Sequence, residues 1–178
     1  MANGGIAAGL GGRRLGGNRP PGAGMPVGPL LGSEFEQVML DDLPLTIDSS
    51  FLTLTDRDHR TMAGLSLGGM QTLQTTLKHL DKFAYIGGFS AAGGIFVDPK
   101  TSYGGVMADP VQFNRRVKVF WLSVGTEEGR GLNGNMAFHK TLDADGIKNV
   151  YYESPGTAHE WQIWCRSLNG FAPLLFKN

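Results

Sequence analysis

The chain has 178 residues, 41% of them hydrophobic, enough for one domain with a real apolar core. Its 16 basic and 16 acidic residues leave a formal net charge of zero, so no electrostatic field favours nucleic acid or an anionic membrane surface as partner. No apolar run approaches the roughly 20 residues that span a bilayer, and Cys165, the single cysteine, excludes an internal disulfide without fixing a compartment.

Residues 1–33 form a glycine- and proline-rich segment that reads as a loop or lid ahead of a core over 34–178. They lack the apolar centre of a signal peptide, so a signal was either removed or never stood here. Ser33 and Glu36 match a capping box. They predict a helix over 34–49 that turns Phe35, Val38, Met39 and Leu43 inward and is kinked or ended by Pro44. The charged run Asp56-Arg57-Asp58-His59-Arg60 leads into a strand over 60–65. Met70, Leu73, Leu77 and Leu80 recur at helical spacing and predict a helix over 67–80. Further strands are expected over 83–89, 117–124 and 148–152, and further helices over 109–115, 133–145 and 160–169. Apolar runs such as Val117-Lys118-Val119-Phe120-Trp121-Leu122 suit buried parallel strands. Strands alternating with helices predict an α/β fold with a mostly parallel sheet flanked by helices.

Between the first strand and its helix stands Gly64-Leu65-Ser66-Leu67-Gly68. Strand, Gly-x-Ser-x-Gly, helix is the nucleophile-elbow pattern of α/β hydrolases. The turn is sharp, so the flanking positions call for residues with little or no side chain. It lifts the serine hydroxyl above the sheet edge and aims the N–H of Leu67 where an oxyanion would form. By itself the pattern is weak in a chain with 27 glycines; the bland alternative is a glycine-rich turn without chemistry.

A serine hydroxyl needs a base, and the base an orienting acid. In α/β hydrolases these follow in the order Ser, acid, His. Of the four histidines, His59 precedes the serine, His79 suits the end of the elbow helix, and His139 falls within a helix. His159 lies on the loop after the last strand, where the base belongs. The acid should follow the preceding strand, where Glu127 and Glu128 stand side by side. Only one of two successive residues is expected to reach the histidine. Asp143 and Asp145 are weaker candidates.

Three segments, Met62-Ala63-Gly64-Leu65-Ser66-Leu67-Gly68-Gly69-Met70, Gly125-Thr126-Glu127-Glu128 and Gly156-Thr157-Ala158-His159-Glu160-Trp161, together resemble the esterase D-like group and, more narrowly, carbohydrate esterase family 1. The resemblance runs over roughly residues 34–176. It implies an α/β-hydrolase fold and a serine esterase acting on feruloyl or acetyl esters of xylan-type polysaccharide, secreted or periplasmic, with no cofactor and no metal. It assigns Ser66 as nucleophile, His159 as base, Glu128 as acid with Glu127 in reserve, and Leu67 as an oxyanion donor. Trp161 and Phe89 are implied as walls for an aromatic acyl group or sugar; their other reading is plain core aromatics.

The chain departs from that family ahead of the first strand, where members carry further strands and a His-Gly-Gly-type loop with a second oxyanion donor. An N-terminally shortened domain is therefore expected. Its sheet would be smaller, its activity weaker, and an exposed strand edge could pair with another copy of the chain. Two alternatives stay open: a weakly active or non-catalytic remnant that binds carbohydrate, and a related esterase or thioesterase with a small-molecule substrate.

Overall fold

The computed structural model describes residues 33–91 and 98–177. The segment read as a loop or lid over 1–33 lies outside these residues apart from Ser33. Four strands, β1 (Thr61–Leu65), β2 (Tyr85–Phe89), β3 (Val119–Gly125) and β4 (Val150–Ser154), form one parallel sheet in the order β1-β2-β3-β4. Helices α3 (Leu67–Lys78), α4 (Pro110–Arg116), α5 (Arg130–Ala144) and α6 (Trp161–Phe171) connect or follow them. Parallel strands need such crossovers, since no hairpin can bring a strand back in the same direction.

Alternation along the strands sorts the core into two faces. Ile86, Phe120 and Leu122 meet Leu73 and Leu77 of α3, Phe113 of α4, and Phe138 and Leu142 of α5. Tyr85, Phe89 and Trp121 point the other way, against Phe171 and Trp164 of α6. Both faces are thus covered by helices. The last three strands begin two residues later than their apolar runs suggested. Phe83, Ala84 and Val117 are buried, but they lie in the connections ahead of the strands. Hydrophobicity reports burial there, not pairing.

The N-terminal helical stretch corrects two expectations. It runs as α1 (Ser33–Gln37), a π-helical turn (Val38–Asp42) and α2 (Leu43–Ser50). Pro44 neither ends nor breaks it. Proline lacks an N–H and its ring crowds the carbonyl one turn back. The wider turn absorbs this, with the Leu43 N–H bonding to the Val38 carbonyl. The Leu40 carbonyl, which would have met the missing N–H, accepts from Lys82 Nζ at 3.2 Å. Val38 and Leu43 are exposed, at 47% and 43%, rather than inward. The stretch lies beside β1, which among the described residues is paired on one side only. Met39, Leu43 and Ile47 line an open groove of about 280 Å³ against Met62, Phe83 and Phe176. Polar clasps hold the stretch down: Glu36 with His79 and Lys78, and Asp48 with Arg60.

Candidate active site

The candidate residues gather at the carboxyl ends of the strands, the usual place for ligands in an open parallel sheet. Leu65, the last residue of β1, is the register partner of Phe89, the last of β2. Ser66 follows at φ 53° and ψ −121°, a backbone that costs a non-glycine residue about 1–3 kcal/mol. Its N–H donates to the Phe89 carbonyl at 2.8 Å, and its own carbonyl accepts from Met70 N–H at 3.1 Å. The turn is therefore held from the sheet and from the first turn of α3. It is also held by close packing. A Cβ on Gly64 would lie 2.3 Å from the Gly68 carbonyl oxygen, and one on Gly69 2.7 Å from the Ala91 Cβ. A Cβ on Gly68 would meet nothing within 4 Å. The second position that needs a bare backbone is Gly69, not Gly68 as the elbow pattern suggested.

His159 Nε2 lies 2.8 Å from Ser66 Oγ, and His159 Nδ1 lies 2.9 Å from Glu128 Oε2. A carboxylate only accepts hydrogen bonds, so Nδ1 carries the proton and bare Nε2 accepts the serine hydroxyl. The Glu128 side chain is 4% exposed and that of His159 is 47% exposed. The acid is buried beneath a base that faces solvent. Burial of a carboxylate demands donors. Oε1 accepts from Gly125 N–H at 2.8 Å and from Ser90 Oγ at 2.6 Å. Glu127 turns away: its N–H donates to the Thr157 carbonyl at 2.9 Å and its side chain is exposed. The pair of carboxylates left open by the sequence thus divides, and Glu128 is the one beside His159.

The other candidates are spoken for elsewhere. His59 pairs with Asp56, His79 with Glu36, and His139 with Asn149 and Asp143; Asp145 meets Lys100. Leu67 opens α3, where first-turn N–H groups have no intrahelical acceptor and the helix dipole is positive. Trp161 is 70% exposed and stands edge-on to Trp164, ring centroids 5.4 Å apart. Trp164 in turn stands edge-on to His159 at 5.3 Å. Phe89 is a correction. It is 5% exposed, with its ring against Phe171 in the core, because it sits on the strand face that α6 covers. Its contribution to the site is the carbonyl that holds Ser66. Among the described residues, no group of three or more His, Cys, Asp or Glu is placed to hold a metal ion. Among them also, no helix is long and apolar enough to cross a membrane.

Two neighbours of the site escaped the sequence reading, Ser90 and Trp164. The signal for Ser90 was its place, one residue past β2 as Ser66 is one residue past β1.

A family model described as "Putative esterase" matches residues 31–175. The chain belongs to this esterase family. It is 37% identical over 152 residues to an endo-1,4-beta-xylanase/feruloyl esterase of Xylanibacter ruminicola, a match that takes in 85% of this chain and 19% of that protein. The fold matches a CE1 ferulic acid esterase from Anaeromyces mucronatus, solved with ferulic acid, at TM-score 0.64 and 20% identity over 80% of this chain and 54% of the other. It also matches a fluorophosphonate-binding serine hydrolase of Staphylococcus aureus at TM-score 0.63 and 16% identity, over 80% and 64%. The fold is that of the α/β hydrolases. The chain spans about a fifth of the curated relative and little more than half of the ferulic acid esterase structure.

Proposed function

We propose that this chain is a serine carboxylic-ester hydrolase for feruloyl or acetyl esters of xylan-type polysaccharide. The observation that carries the reading is the continuous hydrogen-bonded line from Ser66 through His159 to Glu128. The membership of the esterase family and the feruloyl esterase named among its relatives support the substrate class.

Ser66 Oγ attacks the ester carbonyl as its proton passes to His159 Nε2, forming the C–O bond of a tetrahedral intermediate. Glu128 keeps Nδ1–H in place and balances the imidazolium. The oxyanion takes the Leu67 N–H at the positive end of α3. Collapse expels the alcohol, which leaves with the proton from Nε2, and Ser66 keeps the acyl group. Water, deprotonated by His159, then attacks this acyl-enzyme, releases the acid and restores the serine. Trp161, exposed next to this line, offers an aromatic surface to the acyl group or the sugar.

The test is hydrolysis of p-nitrophenyl acetate, methyl ferulate and feruloylated xylan oligosaccharide by the chain and by Ser66→Ala. Acyl-enzyme formation and turnover should vanish in the variant. Substantial turnover by Ser66→Ala would remove the nucleophile from the scheme, and measurable binding of xylan oligosaccharide with no labelling of Ser66 by a fluorophosphonate would favour a non-catalytic remnant.

A further inference from the structure

Ser90, just past β2, shares with Ser66, just past β1, a positive φ. Its φ is 52°, a conformation that glycine adopts freely and a side chain does not. It is 6% exposed, and its N–H donates to the Ser123 carbonyl at 2.7 Å. A hydroxyl held in an unfavourable backbone, buried and away from the reacting atoms, calls for a reason.

The reason is in its partners. Ser90 Oγ donates to Glu128 Oε1 at 2.6 Å, and Trp164 Nε1–H donates to Ser90 Oγ at 3.3 Å. An indole nitrogen only donates and a carboxylate only accepts, so the hydroxyl proton is committed to Glu128. With Gly125 N–H also on Oε1, one oxygen of the carboxylate is occupied from the ends of β2 and β3. The other is left for His159. We infer that Ser90, oriented by Trp164, is a positioning residue for Glu128 that fixes which carboxylate oxygen faces His159. The inference rests on the triad reading given under Proposed function. A glutamate needs this hold because it has one more rotatable bond than an aspartate, and a freely turning carboxylate would orient the imidazole poorly.

The test uses Ser90→Ala, Ser90→Gly and Trp164→Phe with p-nitrophenyl acetate, alongside Ser66→Ala. Loss of the hydroxyl should lower kcat about 10- to 100-fold and leave KM within about twofold, since the hydroxyl does not touch substrate. Trp164→Phe keeps the ring beside His159 and should show a smaller loss in the same direction. The proton NMR resonance of His159 Nδ1–H should shift in all three. Ser90→Gly relieves the backbone, so it gives a folded protein without the hydroxyl if Ser90→Ala fails to fold. Unchanged kcat and Nδ1–H resonance in the folded Ser90 variants would overturn the inference, whatever happened to thermal stability. Activity retained by Ser66→Ala would instead strike at the triad reading itself.

Discussion

Glu128 and His159 share one hydrogen bond, 2.9 Å long, across a sharp boundary of burial: the acid side chain is 4% exposed and the base 47%. The Glu128 carboxylate is held by Gly125 and Ser90, and the His159 imidazole faces solvent.

That asymmetry sets the first prediction. Glu128→Gln keeps the shape but puts an amide beside Nδ1, which disturbs the tautomer that leaves Nε2 free. Turnover of p-nitrophenyl acetate should fall on the order of 1000-fold or more. Glu127→Gln, on an exposed side chain, should leave kcat within about twofold. Equal losses in the two variants would deny the assignment of the acid.

The elbow glycines should separate in stability. Gly64→Ala places a methyl group against the Gly68 backbone and should cost about 2–3 kcal/mol, with loss of activity as Ser66 shifts. Gly68→Ala enters open space on a helix that prefers alanine, and its stability should stay within about 0.5 kcal/mol of the parent. Urea denaturation of both variants measures this; an equal cost would contradict the packing described.

Trp161 offers a face to solvent next to Trp164, the ring that meets His159. Trp161→Ala should raise KM for methyl ferulate about threefold to tenfold, corresponding to roughly 0.5–1.5 kcal/mol of aromatic contact. KM for p-nitrophenyl acetate serves as a second substrate, and a rise there equal to that for the ferulate would mean a general disturbance of the site.

The clasp on the N-terminal helical stretch should release in acid. Partial burial pushes the Glu36 carboxyl up, but hydrogen bonds from His79 and Lys78, with their charges, together outweigh it and hold it below its ordinary value of 4.5. A carboxyl lowered in the folded state adds stability that is present above 4.5 and is lost as pH falls through the lower folded value. Proteolysis between Ser33 and Ser50 should therefore quicken below about pH 4.5. Glu36→Gln should be cut faster near neutrality and show a weaker acid dependence, since the Asp48–Arg60 clasp remains.

Much of the fold was open to reading because its signals are local. Met70, Leu73 and Leu77 mark one helix face, and Leu73 and Leu77 are buried as that spacing requires. The alternation of strands and helices, and the parallel sheet it implies, rest on the same short-range periodicity. The order Ser66, Glu127-Glu128, His159 was legible because each follows a strand end, and strand ends in a parallel sheet converge on one edge. The helical stretch over 33–50 misled because its apolar residues predict burial without saying what lies opposite them. The missing hydrogen bond of Pro44 was made good by a π-helical turn and by Lys82, 42 residues from the carbonyl it meets, which no local rule anticipates.

What the sequence by itself determined is therefore the alternation of elements and the order along the chain of Ser66, the Glu127-Glu128 pair and His159, each just past a strand, since neighbouring residues write both. Tertiary structure alone decided among residues with the same local credentials. It chose Glu128 over Glu127, because adjacent side chains leave the turn in different directions and one meets a histidine 31 residues away. It sent Phe89 to the core, because alternate residues of a strand take opposite faces. It joined Trp164 to Ser90 across 74 residues, because helices laid on a sheet bring together hydrogen-bonding groups whose separation along the chain carries no trace of the contact.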